Sequence, residues 1–177
     1  DIKYTDFVRT TEDRHARSVK KFWQDLYDKG YLYKGSYEGW YCVHEETYHA
    51  ESDLLKAEDG TYLCPECERP VQQAEGEENW FFKMSDFQDR LLEYYEEHSE
   101  FIRPKIRRNE VISFVKSGLK DLSISRSTFD WGVPLPFDDN HVAYVWADAL
   151  ITYLTGIGYA DPEREAEFAA HWPIDYH

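Results

Sequence analysis

His141-Val142-Ala143-Tyr144-Val145-Trp146 runs without a break into Ala147-Asp148-Ala149-Leu150-Ile151-Thr152-Tyr153-Leu154-Thr155-Gly156-Ile157-Gly158. The first six residues are mostly β-branched or aromatic and suit a strand, while Ala149 to Ile157 suits a helix that Gly158 can end. A nearly all-apolar strand feeding straight into a helix predicts a parallel sheet covered on both faces, and hence an α/β fold. Just upstream, Trp131-Gly132-Val133-Pro134-Leu135-Pro136 excludes a helix, because each Pro biases its predecessor away from the α region. Leu122 to Ser125 is a short strand candidate, and residues 161–171 read as a polar helix.

Toward the N-terminus, Val19, Phe22, Trp23, Leu26 and Tyr27 recur at helical spacing between a Thr10-Thr11-Glu12-Asp13 start and a Gly30 stop. This predicts a helix over 13–29. Tyr31-Leu32-Tyr33 and Ser36 to Tyr41 suit short strands joined by a tight turn, and Asn79-Trp80-Phe81-Phe82 another strand. Ser85-Asp86-Phe87-Gln88 has the form of a capping box, opening a helix that fades near His98. Pro104 suits the first turn of a further helix, which Gly118 closes.

The 177 residues carry 35 acidic and 20 basic side chains, a net charge of −15. That excludes a general polyanion binder, which needs a basic footprint, and no DNA partner is expected. Arg103, Lys105, Arg107 and Arg108 form the one dense basic cluster. They suit either a local RNA-facing patch or a solvated helix face paired with Glu100 and Glu110. No apolar run is long enough for a membrane span, so no membrane partner is expected. Three Cys, far below disulfide-scaffold density, imply a reducing, cytoplasmic compartment. A start at Asp1 without Met and an end at Trp172 to His177 suggest a piece of something larger.

Cys42 is followed by Cys64-Pro65-Glu66-Cys67. Two Cys separated by two residues on a tight turn form half of a tetrahedral zinc site, and Cys42 offers a third ligand. Glu45 lies at the three-residue offset that would complete a second knuckle, with His44 and His49 as alternatives. Three ordinary reduced thiols, or a redox pair, fit the same spacing. A zinc ion would staple a loop-rich stretch too small to bury a core.

The succession Gly39-Trp40-Tyr41-Cys42-Val43, Glu78 to Phe82, Arg108-Asn109-Glu110-Val111, Ser123-Ile124-Ser125-Arg126, Asp130 to Pro134 and Tyr144 to Leu150 resembles the bacterial-type methionyl-tRNA synthetase family of class I aminoacyl-tRNA synthetases. The resemblance covers essentially the whole chain. It implies part of a Rossmann-like catalytic fold with an inserted zinc-knuckle connective domain. Residues 1–30 would end the first half of that fold, 31–115 would be the insertion, and 116–177 would start the second half. The implied activity is ATP-dependent activation of methionine and its transfer to tRNA(Met), with ATP and Mg2+ used by the full-length protein. The family's His-Ile-Gly-His and Lys-Met-Ser-Lys-Ser type motifs are not among these 177 residues, so no catalytic residue is assigned and this piece alone is expected to be inactive. Glu45 departs from the family's Cys-x-x-Cys knuckle.

By the same resemblance, Trp146, Ala149, Leu150 and Tyr153 would line the methionine side-chain pocket, and Arg126 would stand at the active-site rim near tRNA. The spacing agrees: Trp146 would end the strand while the other three follow within about a turn and can share one face. An aromatic wall suits a polarisable thioether, and Tyr153 offers a hydroxyl to sulfur. Without the family, the spacing favours Trp146 and Tyr153 as core aromatics of a doubly covered strand–helix unit. A stand-alone zinc-knuckle interaction module and, from 17% aromatics, a carbohydrate-binding domain are the competing readings.

Overall fold

The computed structural model describes residues 3–45, 47–49, 51–128 and 130–174, leaving aside the side chains of 37, 38, 48 and 74–77. The chain divides into two compact units, one of residues 1–33 and 80–177, the other of residues 34–79. The second is narrower than the 31–115 stretch expected from the sequence, since the helices of 88–116 group with the first unit.

In the first unit, helix α1 (Asp13–Asp28) buries His15, Ser18, Val19 and Trp23 along one stripe. Glu12 is its N-cap without a side-chain bond, so neither Thr10 nor Thr11 caps it; the Glu12 carboxylate instead accepts from Arg9 N–H and from Arg14. A 3-10 turn (Met84–Phe87) leads into α2 (Gln88–Glu97), followed by α3 (Lys105–Lys116). Ser85 is not the cap of α2: its hydroxyl donates to Asp121 Oδ1 at 2.6 Å, because the intervening turn carries it away from the helix end.

The strand expected over 141–146 lies three residues upstream. β9 (Asp138–Ala143) stops at Ala143, Tyr144 is an N-cap, and Val145–Ala149 is already helix α4. α5 (Thr152–Gly156) and α6 (Glu165–His171) follow. Trp146 therefore stands on a helix rather than at a strand end. The described pairings of β9 are antiparallel, with β7 (Ser125–Arg126) on one side and β8 (Pro134–Leu135) on the other, against the expected parallel sheet. The reason is local: Pro136 and Phe137 turn the chain back directly from β8 into β9, leaving no room for a crossover helix between them. Val19, Trp23, Leu32, Ile124, Val133, Leu135, Ala143 and Ile151 form one core.

Residues 32–42 form one strand, β1 (Leu32–Cys42), passing Gly35 and Gly39 without the expected turn. β5 (Gln72–Phe82) extends well upstream of the expected 79–82. With β2 (Thr47–His49) and β6 (Leu122–Ser123) the strand order is β2-β1-β5-β6. Within the second unit a small hairpin of β3 (Leu55–Lys56) and β4 (Tyr62–Leu63) precedes the Cys64–Cys67 turn. Its core is Cys42, Cys64 and Val71, flanked by Trp40, Leu54 and Tyr62.

Candidate functional site

α4 and α5 form a ledge with two unlike faces. The inner face carries Ala147, Ile151, Leu154 and Thr155 against the core, with Ile151 and Thr155 buried. The outer face carries Trp146, 62% exposed, Leu150, 56%, and Tyr153, 57%, with Ala149 half-buried beside them. Offsets of three, four and seven residues from Trp146 explain why these four share a side. Trp146 and Tyr153 are thus not core aromatics: the core role falls to Trp23, whose indole N–H donates to the Ala147 carbonyl at 2.9 Å.

Below the ledge, two buried histidines engage partners distant in sequence. His15, fully buried, meets Asp148 Oδ1 through Nε2 at 2.5 Å and Thr155 Oγ1 through Nδ1 at 3.1 Å. Asp148 is therefore a side-chain partner of α1. The signal for His15 was its place four residues before Val19 and eight before Trp23, on the apolar stripe. His141 similarly bridges Ser125 Oγ at 3.1 Å and Asp138 Oδ2 at 3.6 Å, and Asp138 also accepts from the Trp80 indole. With Ser125 and His141 buried, this Ser–His–Asp chain ties strands together and offers no accessible nucleophile.

Arg126 lies 4.4 Å from the Tyr144 ring centroid and donates to Ser123 Oγ and the Ser125 carbonyl. Stacking on the N-cap residue of α4 fixes it near the start of the ledge. In the basic cluster, Arg103 pairs with Glu100 and Arg107 with Glu110, as the solvated-face reading expected, and Arg108 donates to the Tyr95 carbonyl.

In the second unit the three sulfurs of Cys42, Cys64 and Cys67 lie within 4.8 Å of one another. Cys42 and Cys67 are 3.5 Å apart, and Cys64 Sγ is 3.4 Å from His49 Nε2. The Cys64-to-Cys67 turn is closed by Glu68 N–H to the Cys64 carbonyl and by Cys64 N–H to the Arg69 carbonyl. Backbone N–H groups, Glu45's foremost, hold the Cys42 thiol below its ordinary value, while desolvation pushes Cys67 up to about 11. The Glu45 carboxylate is instead 3.8 Å from His44 Nε2, and His44 Nδ1 meets Arg69. The three sulfurs suit zinc, since tetrahedral bonds of about 2.3 Å put S–S edges at about 3.8 Å, while His49 does not lie within 4.8 Å of all three. Of the three expected fourth ligands, His49 alone places a side-chain donor against one of the sulfurs.

Comparison with known proteins gives the family. The family described as tRNA synthetases class I (M) matches residues 1–177. The chain belongs to that family. It is similar to the methionine–tRNA ligase of Caldanaerobacter subterraneus, 51% identical over the whole chain and 27% of the relative, and to that of Streptomyces coelicolor, 52% identical over 33% of the relative. A crystal structure of Mycobacterium tuberculosis methionyl-tRNA synthetase bound by methionyl-adenylate superposes with a TM-score of 0.84 at 44% identity, covering 98% of this chain and 34% of that one. The chain thus spans about a third of the length of these class I synthetases. Among the described residues no helix is long and apolar enough to cross a membrane.

Proposed function

We propose that this chain is the methionine-selecting segment of a cytoplasmic methionine–tRNA ligase. The observation that carries the reading is the ledge: a family member whose Trp146, Leu150 and Tyr153 face outward while the opposite face of the same helices is sealed. Exposed aromatics on an anchored element are a cost unless something covers them, and a thioether suits an aromatic wall. Packing alone separates methionine from its isosteres by only about 1–3 kcal/mol, so a polar handle on sulfur such as the Tyr153 hydroxyl adds to selectivity. Arg126, fixed on Tyr144 at the head of the ledge, stands where it can meet an anionic group of the adenylate or of tRNA(Met).

In this reading residues 1–30 end the first half of the catalytic fold, 31–115 are the connective insertion and 116–177 start the second half. The compact unit of 34–79 is the heart of the insertion, stapled by one zinc ion on Cys42, Cys64, Cys67 and His49. Zinc there is structural, and ATP with Mg2+ is handled by the remainder of the longer protein. The test is amino-acid-dependent ATP–pyrophosphate exchange by that longer protein. Exchange that depends on methionine and not on leucine is expected, and exchange that is absent or indifferent to methionine overturns the reading.

A further inference from the structure

α4 and α5 have five residues each, far short of the length at which a helix holds itself in water. Their alignment is tertiary, and one side chain touches both. His15 presents Nε2 to Asp148 on α4 and Nδ1 to Thr155 on α5, from a position fully buried on α1. Nε2 faces a carboxylate and so carries hydrogen there. Asp148 lies between Trp146 and Ala149, and Thr155 two residues beyond Tyr153.

We propose that His15 is a positioning residue for methionine selectivity. It locks the α4 half of the outer face, Trp146 and Ala149, at a fixed angle to the α5 half, Tyr153. This rests on the pocket reading above. An apolar side chain at position 15 would hold α1 against the ledge at least as well, since Val19, Trp23 and Ile151 already form a core there. What the buried polar triad adds is register: two directional contacts that only one relative placement of α4 and α5 satisfies. Because misplacement by about 1 Å can cost about a hundredfold, a clamp behind the pocket acts on binding without touching the ligand.

The experiment is ATP–pyrophosphate exchange by the full-length protein. His15→Leu is expected to raise the methionine KM about tenfold through misplacement of Trp146 and Ala149 against Tyr153, with kcat and the ATP KM within about twofold. His15→Gln, whose amide can donate to Asp148, should recover to within about threefold of wild type. Equal rises in both KM values, or a lower melting temperature with an unchanged methionine KM, would show a structural role only and overturn the proposal. Should His15→Leu fail to fold, Asp148→Asn must give the same split between the two KM values, and its failure to do so overturns the proposal. Trp146→Ala in the same assay separates the two claims. A raised methionine KM there with none in His15→Leu sinks the clamp alone; no change in Trp146→Ala sinks the pocket and the clamp with it.

Discussion

Gly158 adopts φ +94°, and a Cβ there would come within 2.8 Å of Arg164 Cβ and 3.0 Å of its carbonyl oxygen. Arg164 cannot easily yield, because its guanidinium is held by Glu167 and the Gly156 carbonyl. Gly158→Ala is therefore expected to lower stability by about 1–3 kcal/mol, read as a fall in melting temperature; an unchanged midpoint would mean the turn rearranges. That Gly158 ends the ledge was legible in the sequence, since a stop after an apolar run has a local signature. His15 was not, because a buried imidazole is defined by what arrives from 133 and 140 residues away. Asp6 gives a residue-scale prediction in pH. The Arg14 guanidinium, gripping both its oxygens, holds its carboxyl below the ordinary 3.8. A lowered folded value means stability that is present above the unfolded value and lost as pH falls through the folded one. The stability difference between wild type and Asp6→Asn should thus be largest above about pH 4 and shrink in acid, by denaturant unfolding. A difference that does not change with pH would remove the ion pair from the account.

At the level of elements, α1 emerged from periodicity almost residue for residue because its apolar stripe is local information. The strand before the ledge did not. Val145 and Trp146 favour a strand by propensity, yet the ladder ends at the Ser125–Ala143 pair and the helix begins under anchors from α1. Antiparallel pairing was hidden for the same reason, since apolar runs report burial and not direction. The cysteine cluster was half legible: the spacing of Cys64 and Cys67 speaks for itself, but the neighbour of Cys64 from β2, His49, is set by pairing of β2 with β1. Metal analysis of the purified protein is expected to give about one zinc per chain, with Cys64→Ser losing it and Glu45→Gln retaining it. Zinc that survives Cys64→Ser, or thiols that titrate freely in wild type, would contradict that site.

For the molecule as a whole, two independent facts meet: membership of a class I synthetase family across the full chain, and an anchored pair of short helices that turns its aromatics outward. The ledge is the face proposed to meet methionine, while Arg103 and Arg107 of the basic cluster pair with Glu100 and Glu110. The most direct measurement is the Kd of methionine for the full-length protein by equilibrium dialysis, compared between wild type, Trp146→Ala and Phe114→Ala. Phe114, 65% exposed on a different helix, α3, serves as the control. Loss of the Trp146 wall is expected to weaken binding at least about tenfold while the control stays at the wild-type value. Equal affinities for all three proteins would contradict the claim that this face selects methionine.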